Sequence, residues 1–216
     1  MREVMKKYYA QRADNYESIY KKPERQADLM AMEERLCSVL EGHRVLEVAC
    51  GTGYWTQRFA PVATSVFATD INQVMLDQAQ RKEYPLGVVK FSLADVFAMP
   101  SANGAQYSAC FAGFLWSHVE REEQAEVLAQ LVKVVGSGCV LVLIDDNDVE
   151  GSSAPIARTD SDGNTFQLRM QDNGSRVEIV KNYHTDSFLR KRIGLAARDI
   201  RIVRNDHYWM LTCVLK

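Results

Sequence analysis

Short apolar runs alternate with amphipathic stretches at nearly regular intervals between Arg44 and Ile144. The apolar runs 45–49, 65–69, 88–93, 107–113 and 139–144 have the length of strands. The last is almost wholly apolar, as expected of a central parallel strand buried on both faces. Between them the spacing predicts helices over 55–59, 72–81 and 122–135. Asn72 is placed to cap the second, and Gly136-Ser137-Gly138 stops the third. Strand–helix alternation of this kind predicts a doubly wound α/β sheet.

The ends of the chain read differently. The first 20 residues are charged and carry Tyr8, Tyr9, Tyr16 and Tyr20, a pattern for one or two short helices. Pro23 interrupts it. Residues 24–40 then show Leu29, Met32, Leu36, Val39 and Leu40 at helical spacing, ended by Gly42. After Ile144 the polar segment 145–162 reads as a loop. Residues 165–170 and 176–181 alternate and flank Asn173-Gly174, a strong hairpin signal. A helix is expected over 186–193. Two last runs, 199–203 and 208–215, are separated by Asn205-Asp206 and predict a closing antiparallel pair. The expected organisation is one domain over 1–216. It comprises a helical cap (1–42), a core (43–146), a loop and hairpin insertion (147–184) and a closing helix and hairpin (185–216). Insertions at the carboxyl edge of such a sheet commonly act as lids.

The chemistry concentrates where the first strand ends. Glu47-Val48-Ala49-Cys50-Gly51-Thr52-Gly53 passes from strand to small-residue loop, and a helix-compatible segment follows. Glycines there let a ligand approach the backbone, and a helix start offers free N–H groups. Asp70 closes the next strand, where a βαβ unit holds a ribose hydroxyl pair. The two signs imply an adenosine-containing cofactor. The dinucleotide pattern G-x-G-x-x-G is incomplete, because Thr56 stands at the third glycine. Glu47 would repel a pyrophosphate, yet suits the amine and sulfonium of S-adenosylmethionine. Cys50 reads as a small loop side chain.

Glu47 to Gly53 resembles motif I of the class I S-adenosylmethionine-dependent methyltransferases, written E/D-x-G/A-x-G-x-G, with Ala49 where glycine is commoner. The resemblance extends from about residue 12 to the end and is strongest over 45–144. It implies a Rossmann-like seven-stranded sheet with a final antiparallel strand, here carrying a β-hairpin insertion. It also implies a cofactor site of Glu47, Ala49, Gly51, Gly53 and Asp70, with Ile71 on the adenine. Asp95 and Val96 would meet the adenine edge, and the backbone of Ala112 and Gly113 the methionyl portion. Arg12 to Tyr20 is similar to an R-A-x-x-Y-D-x-x-Y segment that folds over the cofactor in small-molecule methyltransferases, with Glu17 replacing Asp. Tyr16 and Tyr20, or Arg12, could then reach the methionyl end. Phe114 to His118 is not the D/N-P-P-Y/F motif of adenine and glutamine methylators. His118 is the histidine nearest the expected reaction centre and a candidate general base, though a structural role fits it too. Tyr183 and His184 are secondary candidates for the acceptor pocket.

Composition narrows the partners. The chain has 26 basic and 28 acidic residues, net −2, with short basic clusters, which argues against nucleic acid. Five cysteines without a C-x-x-C suggest neither disulfides nor a metal site, and fit reduced thiols in the cytoplasm. No apolar run is long enough for a membrane span, and no signal peptide is expected. A small-molecule acceptor with an oxygen or nitrogen nucleophile is therefore expected, in an oligomeric state the pattern leaves open. The rival readings are an NAD-dependent oxidoreductase and a non-catalytic protein that binds S-adenosylmethionine.

Overall fold

The computed structural model describes residues 2–99, 106–171 and 174–216. The chain opens with α1 (Arg2–Gln11), a 3-10 strap (Ala13–Lys21), a 3-10 turn (Pro23–Arg25) and α2 (Gln26–Leu40). There follow β1 (Arg44–Val48), α3 (Tyr54–Phe59), β2 (Ser65–Asp70), α4 (Gln73–Gln80), β3 (Val89–Leu93), β4 (Ala109–Gly113) and a 3-10 turn (Trp116–His118). The second half holds α5 (Gln124–Val135), β5 (Val140–Asp146), β6 (Arg158–Thr159), β7 (Thr165–Met170), β8 (Arg176–Val180), α6 (Asp186–Ile193), β9 (Ala197–Arg204) and β10 (Tyr208–Leu215).

Seven strands form one sheet in the order β3-β2-β1-β4-β5-β10-β9. All neighbours are parallel except β10, which is antiparallel to both β5 and β9. The strand order reverses between β1 and β4, so a crevice opens at their carboxyl ends. The period-2 alternation of strands divides the core. Val45, Ala109, Phe111, Val142 and Ile144 face α2, α3 and α4. Leu46, Cys110, Ala112, Leu141 and Leu143 face α5 and α6. Both faces are apolar, which is why β5 lacks polar alternation.

The departures from expectation have local causes. Pro23 opens a 3-10 turn, so the α-helix starts at Gln26 rather than Glu24. The segment before it winds as 3-10, and the Gln26 side-chain amide donates to the Tyr20 and Lys22 carbonyls at their junction. Asn72 occupies the cap position of α4, but its side chain makes no capping bond. The polar segment 145–162 is not all loop. Arg158 and Thr159 pair with Phe166 and Thr165, so the expected hairpin is the β7–β8 part of a three-stranded antiparallel sheet. Asn173, the expected turn residue, lies outside the described residues, while Gly174 has φ +79.

Candidate functional site

The β1–α3 loop is built on left-handed backbone. Ala49, Gly51 and Gly53 have φ of +55, +57 and +74. Two of the three are glycines, for which this costs little. Ala49 bears the strain, and Phe114 at the end of β4 carries the same kind of strain at φ +57. Asp70 organises the loop from the next strand. One carboxylate oxygen accepts from the Gly51 N–H at 2.9 Å and the other from the Asn72 N–H at 2.8 Å. Each oxygen keeps lone-pair capacity for a further donor. Burial raises the Asp70 carboxyl above its ordinary value, against those backbone N–H groups.

A cavity of about 1000 Å³ opens over this loop. Tyr16, Ala49, Gly51, Asp70, Ile71, Asp95, Val96, Gly113 and His118 all line it. Asp95 also closes its own turn, accepting from the Phe97 N–H at 2.9 Å. Four expected cofactor residues do not line it. Tyr20 is buried, stacked on Tyr54 with ring centroids 3.7 Å apart. Gly53 is a packing glycine, since a Cβ there would meet the Tyr84 hydroxyl oxygen at 2.5 Å and the Ala79 Cβ at 3.0 Å. Ala112 faces the α5 side of the core. Glu47 is 1% exposed beneath the loop, where it accepts from the Thr56 hydroxyl at 2.6 Å. Burial pushes its carboxyl up to about 8.

Sequence reasoning missed the part played by α1. Arg2, Met5, Lys6 and Tyr9 lie along one side of the cavity. Their spacing on a helix was visible, but their target was not. Glu17, noted as a departure from the usual Asp, ties the strap to the loop by accepting from the Thr52 hydroxyl and from Lys82.

His118 stands at the far wall. Its Nδ1 faces the Val180 carbonyl, which can only accept, so Nδ1 carries the proton. Its Nε2 then accepts from the Tyr9 hydroxyl at 2.7 Å. Burial, followed by the Lys181 and Arg169 charges, lowers its pKa to about 3 despite the nearby Asp145, so the ring is neutral.

A second cavity, about 880 Å³, adjoins the first and shares Tyr9, Tyr16, Phe114 and His118 with it. Tyr183 lines it. His184 lines neither cavity, but stacks on Phe188 at 5.0 Å. At the floor, Lys181 donates to the Ser117 hydroxyl and to Asp145 and Asp146, at 2.9, 3.0 and 2.7 Å. Burial opposes ionisation of Asp145. The Lys181 charge and the Ser117 and Asp146 N–H groups outweigh it and hold the carboxyl below its ordinary range. Among the described residues, no group of three or more His, Cys, Asp or Glu side chains could hold a metal ion. Nor is any described helix long and apolar enough to cross a membrane.

The antiparallel β10 between β5 and β9 separates this sheet from the dinucleotide-binding fold. Together with the Glu47–Gly53 loop it defines a Rossmann-like methyltransferase architecture. Residues 45–138 match the model of a methyltransferase domain family. Among solved structures, DhpI in complex with SAH is 26% identical, with a TM-score of 0.79, over 98% of this chain and 95% of that one. The DhpI-SAM-HEP complex aligns with a TM-score of 0.78 at 24% identity, over 98% and 96% of the two chains. Magnesium protoporphyrin IX methyltransferase (ChlM) from Synechocystis PCC 6803 with bound SAH covers 100% of both chains, at 15% identity and a TM-score of 0.70. No functionally curated protein matches the sequence. Residues 45–138 thus carry a methyltransferase domain, in a chain that is similar over nearly its whole length to structures holding SAH or SAM.

Proposed function

We propose that this methyltransferase moves the methyl group of S-adenosylmethionine to an oxygen or nitrogen of a small molecule, as a single cytoplasmic domain. The observation that carries the reading is the pair of adjoining cavities, one over the glycine loop and one behind His118. The first has the residues an adenosine cofactor requires. Asp70 takes the ribose hydroxyls, Ile71 packs on the adenine, and Asp95 and Val96 meet its edge. Ala49, Gly51 and Gly113 allow close approach to the methionyl end, beside the ring of Tyr16. Glu47, Gly53, Tyr20 and Ala112 support these groups from behind. The SAH complex of DhpI, aligned over nearly all of both chains, supports S-adenosylmethionine as the cofactor. A compact acceptor cavity and a net charge of −2 favour a small molecule over nucleic acid. Five free thiols fit a reducing compartment.

The sulfonium is already activated, so the protein need only align a nucleophile and exclude water. A lone pair on the acceptor forms the new bond to the methyl carbon. S-adenosylmethionine, held by Asp70, Ile71, Asp95 and Val96, would supply the methyl group and keep the carbon–sulfur electron pair as a neutral thioether, and the O–H or N–H proton of the acceptor would pass to solvent water. His118 is a weak base for this purpose, because its ring is neutral at a pKa near 3 and Nε2 already accepts from Tyr9. We assign it to holding Tyr9 and shaping the wall between the cavities.

Calorimetry with S-adenosylmethionine tests the cofactor half. Asp70→Ala should weaken binding by about ten-fold or more, since charge-assisted hydrogen bonds of this kind contribute roughly 1.5–3 kcal/mol. No detectable binding by the native protein would overturn the reading. Binding without labelled methyl transfer to any compound in a broad metabolite panel would favour the non-catalytic alternative.

A further inference from the structure

The second cavity has a lopsided charge. Arg12, Lys22, Arg25, Arg169 and Lys181 line it against one carboxylate, Asp146. Two of the five cations are committed. Lys181 is bound to Asp145 and Asp146, and Arg25 to Asp146 at 3.1 Å and to the Ser152 hydroxyl. The other three have no carboxylate partner among the described residues. Lys22 donates to the Ser152 carbonyl, and Arg12 rests over the Tyr8 ring at 5.5 Å. Arg169 donates once, to the Gln167 side-chain carbonyl at 2.6 Å, and its Nε is buried with no partner.

We propose that this cavity takes a small anionic acceptor, its oxyanion held by Arg169 and Lys22, with the nucleophilic atom turned toward Tyr9 and His118. The proposal rests on the methyltransferase reading and names its substrate class. Even if Arg12, which precedes the strap, served the methionyl carboxylate, two uncommitted cations would remain. A carboxylate or phosphoryl-type oxyanion would fill the missing bond at Arg169 Nε and add charge-assisted bonds in a partly desolvated site. A neutral acceptor could pair that N–H only through an uncharged oxygen, without the charge-assisted gain. A cationic one would meet like charge on several sides. The committed network at the floor stiffens this side, because Lys181 and Arg25 join β5, β8 and the Ser152 loop around the same carboxylates.

The test is calorimetry on full-length protein, with and without saturating S-adenosylhomocysteine. Inorganic phosphate, malonate and ethanolamine serve as probes. Either anion should bind, and ethanolamine should not. Phosphate alone would indicate a phosphoryl-type acid, and malonate alone a carboxylic acid. Arg169→Gln should weaken anion binding by about ten-fold, equivalent to about 1.4 kcal/mol. Arg169→Lys should retain part of it, and neither variant should change affinity for S-adenosylhomocysteine, whose cavity Arg169 does not line. The proposal falls if neither anion binds, if ethanolamine binds equally well, or if Arg169→Gln leaves anion binding unchanged. Failure of S-adenosylhomocysteine to bind would instead overturn the methyltransferase reading, and the cofactor-free titrations would still decide the anion site.

Discussion

Glu47→Gln probes the acid at the centre of the motif. Glu47 is 1% exposed, and burial raises its carboxyl from 4.5 to about 8, with Thr56 opposing the shift and Asp70 adding to it. The folded state therefore holds a proton that the unfolded chain releases near pH 4.5. Between those two values the native state binds more protons, so stability falls as pH rises. The contribution is complete below about 4.5 and lost by about 8. At 1.36 kcal/mol per pH unit, the loss between pH 5 and 7.5 is about 3 kcal/mol. Glutamine has the same shape, and its carbonyl can still accept from Thr56, but it does not ionise. The variant and the native protein should thus be nearly equal at pH 5. By pH 7.5 the variant should be about 3 kcal/mol more stable. Urea denaturation at several pH values gives the comparison, and subtracting the curves removes every other titrating group. A constant difference at all pH values would refute the argument.

Three further substitutions address separate links. Lys181→Met leaves Asp145 buried without its cation and should cost about 3–5 kcal/mol, seen as a large drop in the denaturant midpoint; a change under about 1 kcal/mol would mean that Asp145 finds another partner. Ala49→Gly relieves a left-handed alanine, at φ +55. Allowing for the greater backbone entropy of glycine, it should stabilise by about 0.5–1 kcal/mol, and a loss of stability would contradict the strain argument. Tyr9→Phe removes the donor to His118 Nε2. It should cost about 1–3 kcal/mol in the same assay, and an unchanged midpoint would show that the ring finds a substitute.

The cofactor side was legible because its signals are local. Strand β1, its loop and Asp70 lie within 27 consecutive positions, and each residue type answers one backbone or ligand requirement. Burial depth was not legible there. Glu47 was read by its charge as a neighbour of the cofactor, yet β1 alternation sends its side chain under the loop to Thr56. Gly53 was read as ligand-facing, and its missing Cβ instead makes room for Tyr84 and Ala79 on and beyond α4. In both cases the motif marks the right segment, while the reason for the residue is a contact outside it, with Thr56 for Glu47 and with Ala79 and Tyr84 for Gly53.

The acceptor side is the opposite case. Its wall draws Tyr9 from α1, Lys22 from the strap's end, His118 from the turn after β4, Asp146 from β5, Arg169 from β7 and Lys181 from the end of β8. No window of the sequence contains two of these elements with a spacing that has chemical meaning. The tyrosines at the start and the hairpin insertion were both visible as patterns, but only packing brings them to the same wall. On the proposed function, donor and acceptor specificity are carried by different kinds of information in this chain. The donor is written in one loop and the strand end beside it, where Asp70→Ala should weaken binding by about ten-fold or more. The acceptor is written in the mutual placement of α1, the strap and the β6–β8 sheet, so exchanging the hairpin alone should alter acceptor choice while leaving the cofactor cavity intact.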